Sequence, residues 1–151
     1  MRGKELSYKL GVSLAQRGFH QIVTSPEEKA RETATVLAEV LGVNVVTDDR
    51  LREVQRPWTD DNFATLVARY LCGDVIEGWE SVEQVVARLE ALLVGRPSEG
   101  PIGVVTHGTA MTCLLGADDS ANRVRFWSDL TMPDAWIFSG EVPTRFDGLR
   151  P

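Results

Sequence analysis

The chain holds only two histidines, His20 and His107. The second stands in the stretch GVVTHGTAM, Gly103 to Met111, where an apolar run ends and small, helix-compatible residues take over at Gly108. That pattern sets His107 at the end of a buried strand and the start of a helix. Two more junctions have the same character. IVTSPEEKA brings Ser25 and Lys29 to a second strand end and helix start, and RLREVQRPW follows a third strand with Glu53, Arg52 and Arg56. Free N–H groups at a helix start favour an anion, and ligands of open parallel sheets bind beyond the carboxyl ends of the strands. One such helix start says little. Three loops on one sheet edge, carrying Lys29, Glu53 and His107, point to a phosphate site.

The elements that must position these residues follow from periodicity. Leu6, Leu10 and Leu14 recur every four residues, which predicts a helix over Glu5–Arg17 stopped by Gly18. FHQIVTS reads as a strand. SPEEKARETATVLAEVLG reads as a helix with Ser25 as cap, Pro26 in the first turn, Glu28 completing a capping box, a stripe of Ala30, Ala34, Leu37 and Leu41, and Gly42 as stop. VNVVT is a strand, FATLVARYL a short helix, and SVEQVVARLEALLVG a longer one capped by Ser81 or Glu80 and ended by Gly95. RPSEGP is a turn. IGVVT has no polar face and is expected at the centre of a sheet. A helix follows His107, and DAWIFSG and VPTRFDG read as closing strands. Alternating strands and helices give the α/β class, a mostly parallel sheet with helices on both faces, in a single domain over residues 1–151.

Composition narrows the partners. A net charge of −6 argues against general binding to nucleic acid or an anionic membrane, so any phosphate must be held by a local cluster of positive groups. No apolar run approaches the ~20 residues of a membrane helix. Cys72 and Cys113 stand far apart without the spacing of a zinc site, and read as reduced, packed residues of a cytoplasmic chain. Neither a metal nor an organic cofactor is implied. Trp58 and Trp79 are expected to pack against loops, and His20 to be structural.

With these segments in view, the chain resembles the histidine phosphatase superfamily, also called phosphoglycerate mutase-like. TSPEEKARETATVLAEVLG is similar to the family's Ser-Ser-Pro-x-x-Arg-Ala-x-x-Thr-Ala segment, RLREV to the stretch bearing its acidic proton donor, VVTHGTAM to its second histidine motif, and LTMPDAWIF to its late strand. The resemblance implies phosphomonoester hydrolysis in two steps. A nucleophilic histidine takes the phosphoryl group, and water then removes it. It assigns His107 to the second, phosphate-contacting histidine and Glu53 to the general acid. Ser25, Lys29, Arg52 and Gly108 fall on the phosphate-binding segments.

Two departures stand out. Lys29 occupies the place of a family arginine, and a point charge without the guanidinium fork binds phosphate less well. Arg31 lies about 160–200° round the helix from Lys29 and does not replace it. The family opens with a strand ending in Arg-His-Gly, whose histidine is the nucleophile, whereas RGKELSYKLGVSLAQRGF already resembles the helix after it. His20 precedes its strand, at the end away from the site. The expectation is a phosphatase acting on small phosphorylated substrates if the nucleophile segment is supplied. The alternative is a non-catalytic module that binds inorganic phosphate or a partner. A second copy of the chain, as a homodimer, would be one way to fill the gap left by the missing strand.

Overall fold

The computed structural model describes residues 2–59, 62–95, 100–116, 119–137 and 143–147. The chain divides into two compact units, one of Met1–Asp48, Pro97–Val105 and Thr131–Pro151, the other of Asp49–Arg96 and Thr106–Leu130.

In the first unit the Leu stripe forms helix α1, Arg2–Leu14, which tightens into a single 3-10 turn, Ala15–Arg17. Gly18 then takes φ 68°, a conformation that favours glycine, and ends the helix. Strand β1 (Gln21–Thr24) leads into α2 (Glu28–Leu41), and Gly42 closes α2 in the same left-handed conformation, its N–H donating to the Ala38 carbonyl. Strands β2 (Asn44–Thr47) and β3 (Ile102–Val105) both pair in parallel with β1, with Val23 opposite Val46 on one side and Val104 on the other. The order is therefore β2-β1-β3. Leu10, Ile22, Ala34, Leu37 and Ala38 form the core, joined by Leu14, Leu41, Val43, Val105, Ala135 and Phe146. Helices α1 and α2 approach closely at Gly11, where a Cβ would stand 3.0 Å from Val40 Cβ. Strands β4 (Trp136–Ile137) and β5 (Thr144–Arg145) make a small antiparallel pair, tied by the Asp134–Arg145 ion pair.

In the second unit a 3-10 turn, Asp49–Leu51, opens an extended strap, and helices α3 (Phe63–Leu71), α4 (Val82–Val94), α5 (Gly108–Leu115) and α6 (Ser120–Ser128) follow. Helix α4 begins as a capping box: the Ser81 hydroxyl accepts from Gln84 N–H and the Gln84 side chain accepts from Ser81 N–H. It buries Val85, Leu89 and Leu92 along one stripe. Helix α4 packs on α5 and on the 3-10 turn, and α6 packs on α3 and α5.

The α/β class and the parallel sheet are as expected, and six helices are present among the described residues. Three details differ. Strand β3 lies at an edge of the three-stranded sheet and β1 is central. An all-apolar run reports what lies above and below a strand, not how many strands flank it. The capping box expected at Ser25 is absent: α2 starts at Glu28 with Glu27 as N-cap, and the Ser25 hydroxyl accepts from Glu27 N–H at 3.3 Å in a turn before the helix. Trp58 is 84% exposed rather than packed. Most of the RPSEGP turn and the segment 138–142 of the closing strands lie outside the described residues.

Candidate active site

The second unit carries Glu53, Arg52, His107 and Gly108. After the 3-10 turn the strap is anchored by two buried side chains, Leu51 and Val54. The Thr106 hydroxyl donates to the Leu51 carbonyl at 2.8 Å, tying the strap to the residue before His107. With Leu51 and Val54 turned inward, Glu53 extends toward the start of α5. Its Oε1 accepts from Ala110 N–H at 2.8 Å and from Val54 N–H at 2.9 Å, and its Oε2 accepts from Thr109 N–H at 3.2 Å. Thr109 and Ala110 belong to the first turn of α5, whose N–H groups have no partner within the helix. The carboxylate supplies one.

His107 is the N-cap residue of that helix, extended at φ −115° and ψ 161°, and its carbonyl accepts from Met111 N–H at 2.8 Å. The strand-to-helix change read from GVVTHGTAM thus falls at His107 itself. Its ring makes no capping hydrogen bond and is partly exposed. Gly108 opens α5, and its carbonyl accepts from the Thr112 hydroxyl at 2.8 Å. The strap thus brings Glu53 to the helix start that His107 caps. Arg52 turns the other way, its Nε donating to Asp49 Oδ1 at 2.9 Å on the exposed side of the strap.

Ser25 and Lys29 belong to the first unit. Ser25 is fully buried at the end of β1, its N–H donating to the Val105 carbonyl at 2.9 Å. Lys29 is exposed in the first turn of α2. His20 is exposed at the opposite end of β1 from Ser25.

One part of the second unit lies outside every motif of the sequence. Arg88, on α4, donates through both NH1 hydrogens to the carbonyls of Arg50 (2.6 Å) and Arg52 (2.8 Å), and through NH2 to the Glu53 carbonyl (3.3 Å). Its remaining two donors meet Glu80, Nε to Oε1 at 2.7 Å and NH2 to Oε2 at 2.9 Å. Glu80 also accepts from Gln55 N–H at 3.1 Å. Burial alone would raise the Glu80 carboxyl, but the Arg88 hydrogen bonds, the Gln55 N–H and the Arg88 charge together hold it below the ordinary carboxylate range. The available signal is position: Arg88 lies three residues from Val85 and four from Leu92, a charge set within a buried stripe.

The second unit also holds two buried side chains unsuited to nucleophilic work. The Cys113 thiol lies 3.8 Å from the Tyr70 hydroxyl. Burial pushes the thiol up to about 11, and burial with the neighbouring thiol pushes the tyrosine far above its usual range. Neither is an anion near neutral pH. Tyr70 packs on Trp79 at 5.2 Å between ring centroids, and the Arg56 guanidinium stands 4.2 Å over the Phe63 ring and 5.5 Å over Trp79. Among the described residues no group of three or more His, Cys, Asp or Glu could hold a metal ion, and no helix is long and apolar enough to cross a membrane.

Comparison with known proteins bears on this arrangement. The family described as the histidine phosphatase superfamily (branch 1) matches residues 1–132. A probable phosphoglycerate mutase of Klebsiella pneumoniae is 28% identical over 135 residues, covering 75% of this chain and 59% of the relative. The chain thus spans about three fifths of the length of such relatives. Among solved structures, a mycobacterial glucosyl-3-phosphoglycerate phosphatase in complex with inorganic phosphate superposes with a TM-score of 0.64 at 26% identity, over 81% of this chain and 70% of that one. YhfR of Bacillus stearothermophilus gives 0.69 at 22% identity over 94% and 79%, a likeness of fold.

Proposed function

This chain belongs to the histidine phosphatase superfamily, and we propose that it hydrolyses small phosphomonoesters through a phosphohistidine, with Glu53 as proton donor and His107 as a phosphoryl-binding histidine. One observation carries the reading: the Glu53 carboxylate is held by Thr109 and Ala110 N–H, at the helix start that His107 caps. An acid that must meet a leaving oxygen needs a fixed position more than a long reach. The strap gives it one.

The steps balance as follows. The nucleophilic histidine nitrogen bonds to phosphorus as the ester P–O bond breaks, and the Glu53 carboxylic acid gives its proton to the departing oxygen. Water, its proton taken by the Glu53 carboxylate, then bonds to phosphorus as the P–N bond breaks, releasing phosphate. Charge on the transferring group is met by His107 and by N–H groups, which is most of what phosphoryl transfer asks of a protein. Gly108, Ser25 and Lys29 take phosphate-contacting roles in this proposal on the strength of the sequence resemblance, which also makes the nucleophile the histidine of an Arg-His-Gly segment; Arg52 would join them only by leaving Asp49. The mycobacterial neighbour solved with inorganic phosphate supports a phosphorylated ligand. The cytoplasm is proposed as the compartment.

The test is turnover of an aryl phosphate by the longest natural protein that contains this chain. Glu53→Gln and His107→Ala should each lower kcat at least about 100-fold, and an alkaline denaturing quench should trap a phosphohistidine that is stable to base and lost in acid. Full activity in both variants would overturn the assignment. Phosphate binding that depends on His107, with no turnover at all, would support the second reading, a phosphate-binding module.

A further inference from the structure

We propose that Arg88 and Glu80 form a positioning pair for Glu53: together they fix the main chain of the strap, and through it the carboxylate on the first turn of α5. What Glu53 does there rests on the function proposed above, whereas what Arg88 does to Glu53 rests on geometry alone.

A guanidinium has five N–H donors in a rigid fork. In this chain all five are engaged, three on the carbonyls of Arg50, Arg52 and Glu53 and two on Glu80. Glu80 completes the hold from the other end, accepting from Gln55 N–H while its own N–H donates to the Gln55 carbonyl at 2.8 Å. Four residues of a six-residue stretch, 50–55, are thus pinned through backbone atoms by one ion pair. The pair is mostly buried, with side-chain exposures of 16% for Arg88 and 13% for Glu80. The base of the hold is rigid, because α4 is set in place by Val85, Leu89 and Leu92. The Arg50 side chain returns the contact by donating to the Ala91 carbonyl of α4 at 3.1 Å.

The direction of the hold matters. Arg88 reaches Glu53 at its carbonyl, and the carboxylate of the same residue meets Thr109 and Ala110. Arg88 has no hydrogen bond to either amide. Any effect of Arg88 on those two amides must therefore pass through the strap. Lysine cannot substitute, since three donors on a flexible stem cannot span three carbonyls and a carboxylate in one plane.

Amide hydrogen exchange in the chain as it stands provides the test. Arg88→Lys should speed exchange at Thr109 and Ala110 by about tenfold or more, as Glu53→Gln does, while Val67 and Leu71 in α3 change little. The double variant should add almost nothing beyond Glu53→Gln alone, because both act on the same two bonds. Glu80→Gln, which keeps its shape and an acceptor for Gln55 N–H, should show the same pattern more weakly and serves if Arg88→Lys does not fold. Equal acceleration at Val67, Leu71, Thr109 and Ala110 would mean general loosening of the unit and overturn the proposal. So would multiplicative effects in the double variant. Where the protein turns over an aryl phosphate, Arg88→Lys should lower kcat about 10- to 100-fold with KM within about threefold, and add little to Glu53→Gln. Lack of turnover would count against the function proposed for Glu53 and leave the exchange result to decide the role of Arg88.

Discussion

Glu53→Ala removes the acceptor from two N–H groups at the start of α5. Loss of a side-chain acceptor at a helix start costs about 0.5–2 kcal/mol, and loss of a carboxylate beside the helix dipole costs a further ~0.3–1 kcal/mol. The third bond, from Val54 N–H, links adjacent residues and is left out of this sum. The expected loss is therefore about 2 kcal/mol, which in a chain of this size lowers the melting temperature by roughly 4–8 °C. Glu53→Gln keeps one acceptor oxygen and should lose about half as much. Melts followed by circular dichroism provide the measurement, with Asp49→Ala as control. Asp49 pairs with Arg52 on the surface, its side chain 81% exposed, so its removal should cost under about 0.5 kcal/mol. A Glu53→Ala variant that melts within about 1 °C of the parent would refute the claim that the carboxylate anchors α5.

Gly11→Leu should destabilise the first unit by about 1–3 kcal/mol in urea titration, since even a Cβ there stands 3.0 Å from Val40 Cβ. Cys72 is exposed and Cys113 is buried with its thiol pushed up to about 11, so iodoacetamide at neutral pH should label Cys72 alone until the chain is unfolded, as peptide mass spectrometry will show. Glu80 has a lowered carboxyl in the fold, so its stabilising effect is present above its unfolded pKa and is lost as pH falls through the folded one. The gap in urea midpoint between the parent and Glu80→Gln should accordingly be full near neutral pH and close as the medium is acidified below the ordinary carboxylate range.

FATLVARYL marks helix α3 to the residue, and SVEQVVARLEALLVG, with Ser81 as a candidate cap and Gly95 as stop, marks α4, because both signals are local. Helix α6 is not legible in the sequence: SANRVRFWS buries no residue fully, so it carries no apolar stripe for periodicity to find. At the candidate site, His107 was visible because the strand and the helix meet there in sequence. Glu53 stood out as a carboxylate among arginines on a strand-end loop, but its partners Thr109 and Ala110 lie 56 and 57 residues away and leave no local trace. Arg88 has the pattern of an ordinary surface residue, because a charge on a helix ordinarily faces water. Its place inside a buried stripe was the clue, and its meaning needed the strap to be folded against it.

The Arg88–Glu80 pair also separates stability from position. Removing two charges from water costs nearly what their attraction returns, so replacing a mostly buried pair by apolar residues of similar size often leaves stability unchanged or raised. The carbonyls that Arg88 serves belong to a strap whose Arg50 is exposed and whose Arg52 is partly exposed, so water can reach them once the guanidinium is gone. Arg88→Met combined with Glu80→Leu is therefore expected to melt within about 5 °C of the parent. An apolar pair has no donors, however, and cannot hold the three peptide carbonyls of Arg50, Arg52 and Glu53. The same double variant should lose the protection of Thr109 and Ala110 almost as fully as Glu53→Gln does. A variant that kept both its melting temperature and that protection would show that Leu51 and Val54 position Glu53 unaided. A variant that lost them in step would make the pair a support of the fold and nothing more.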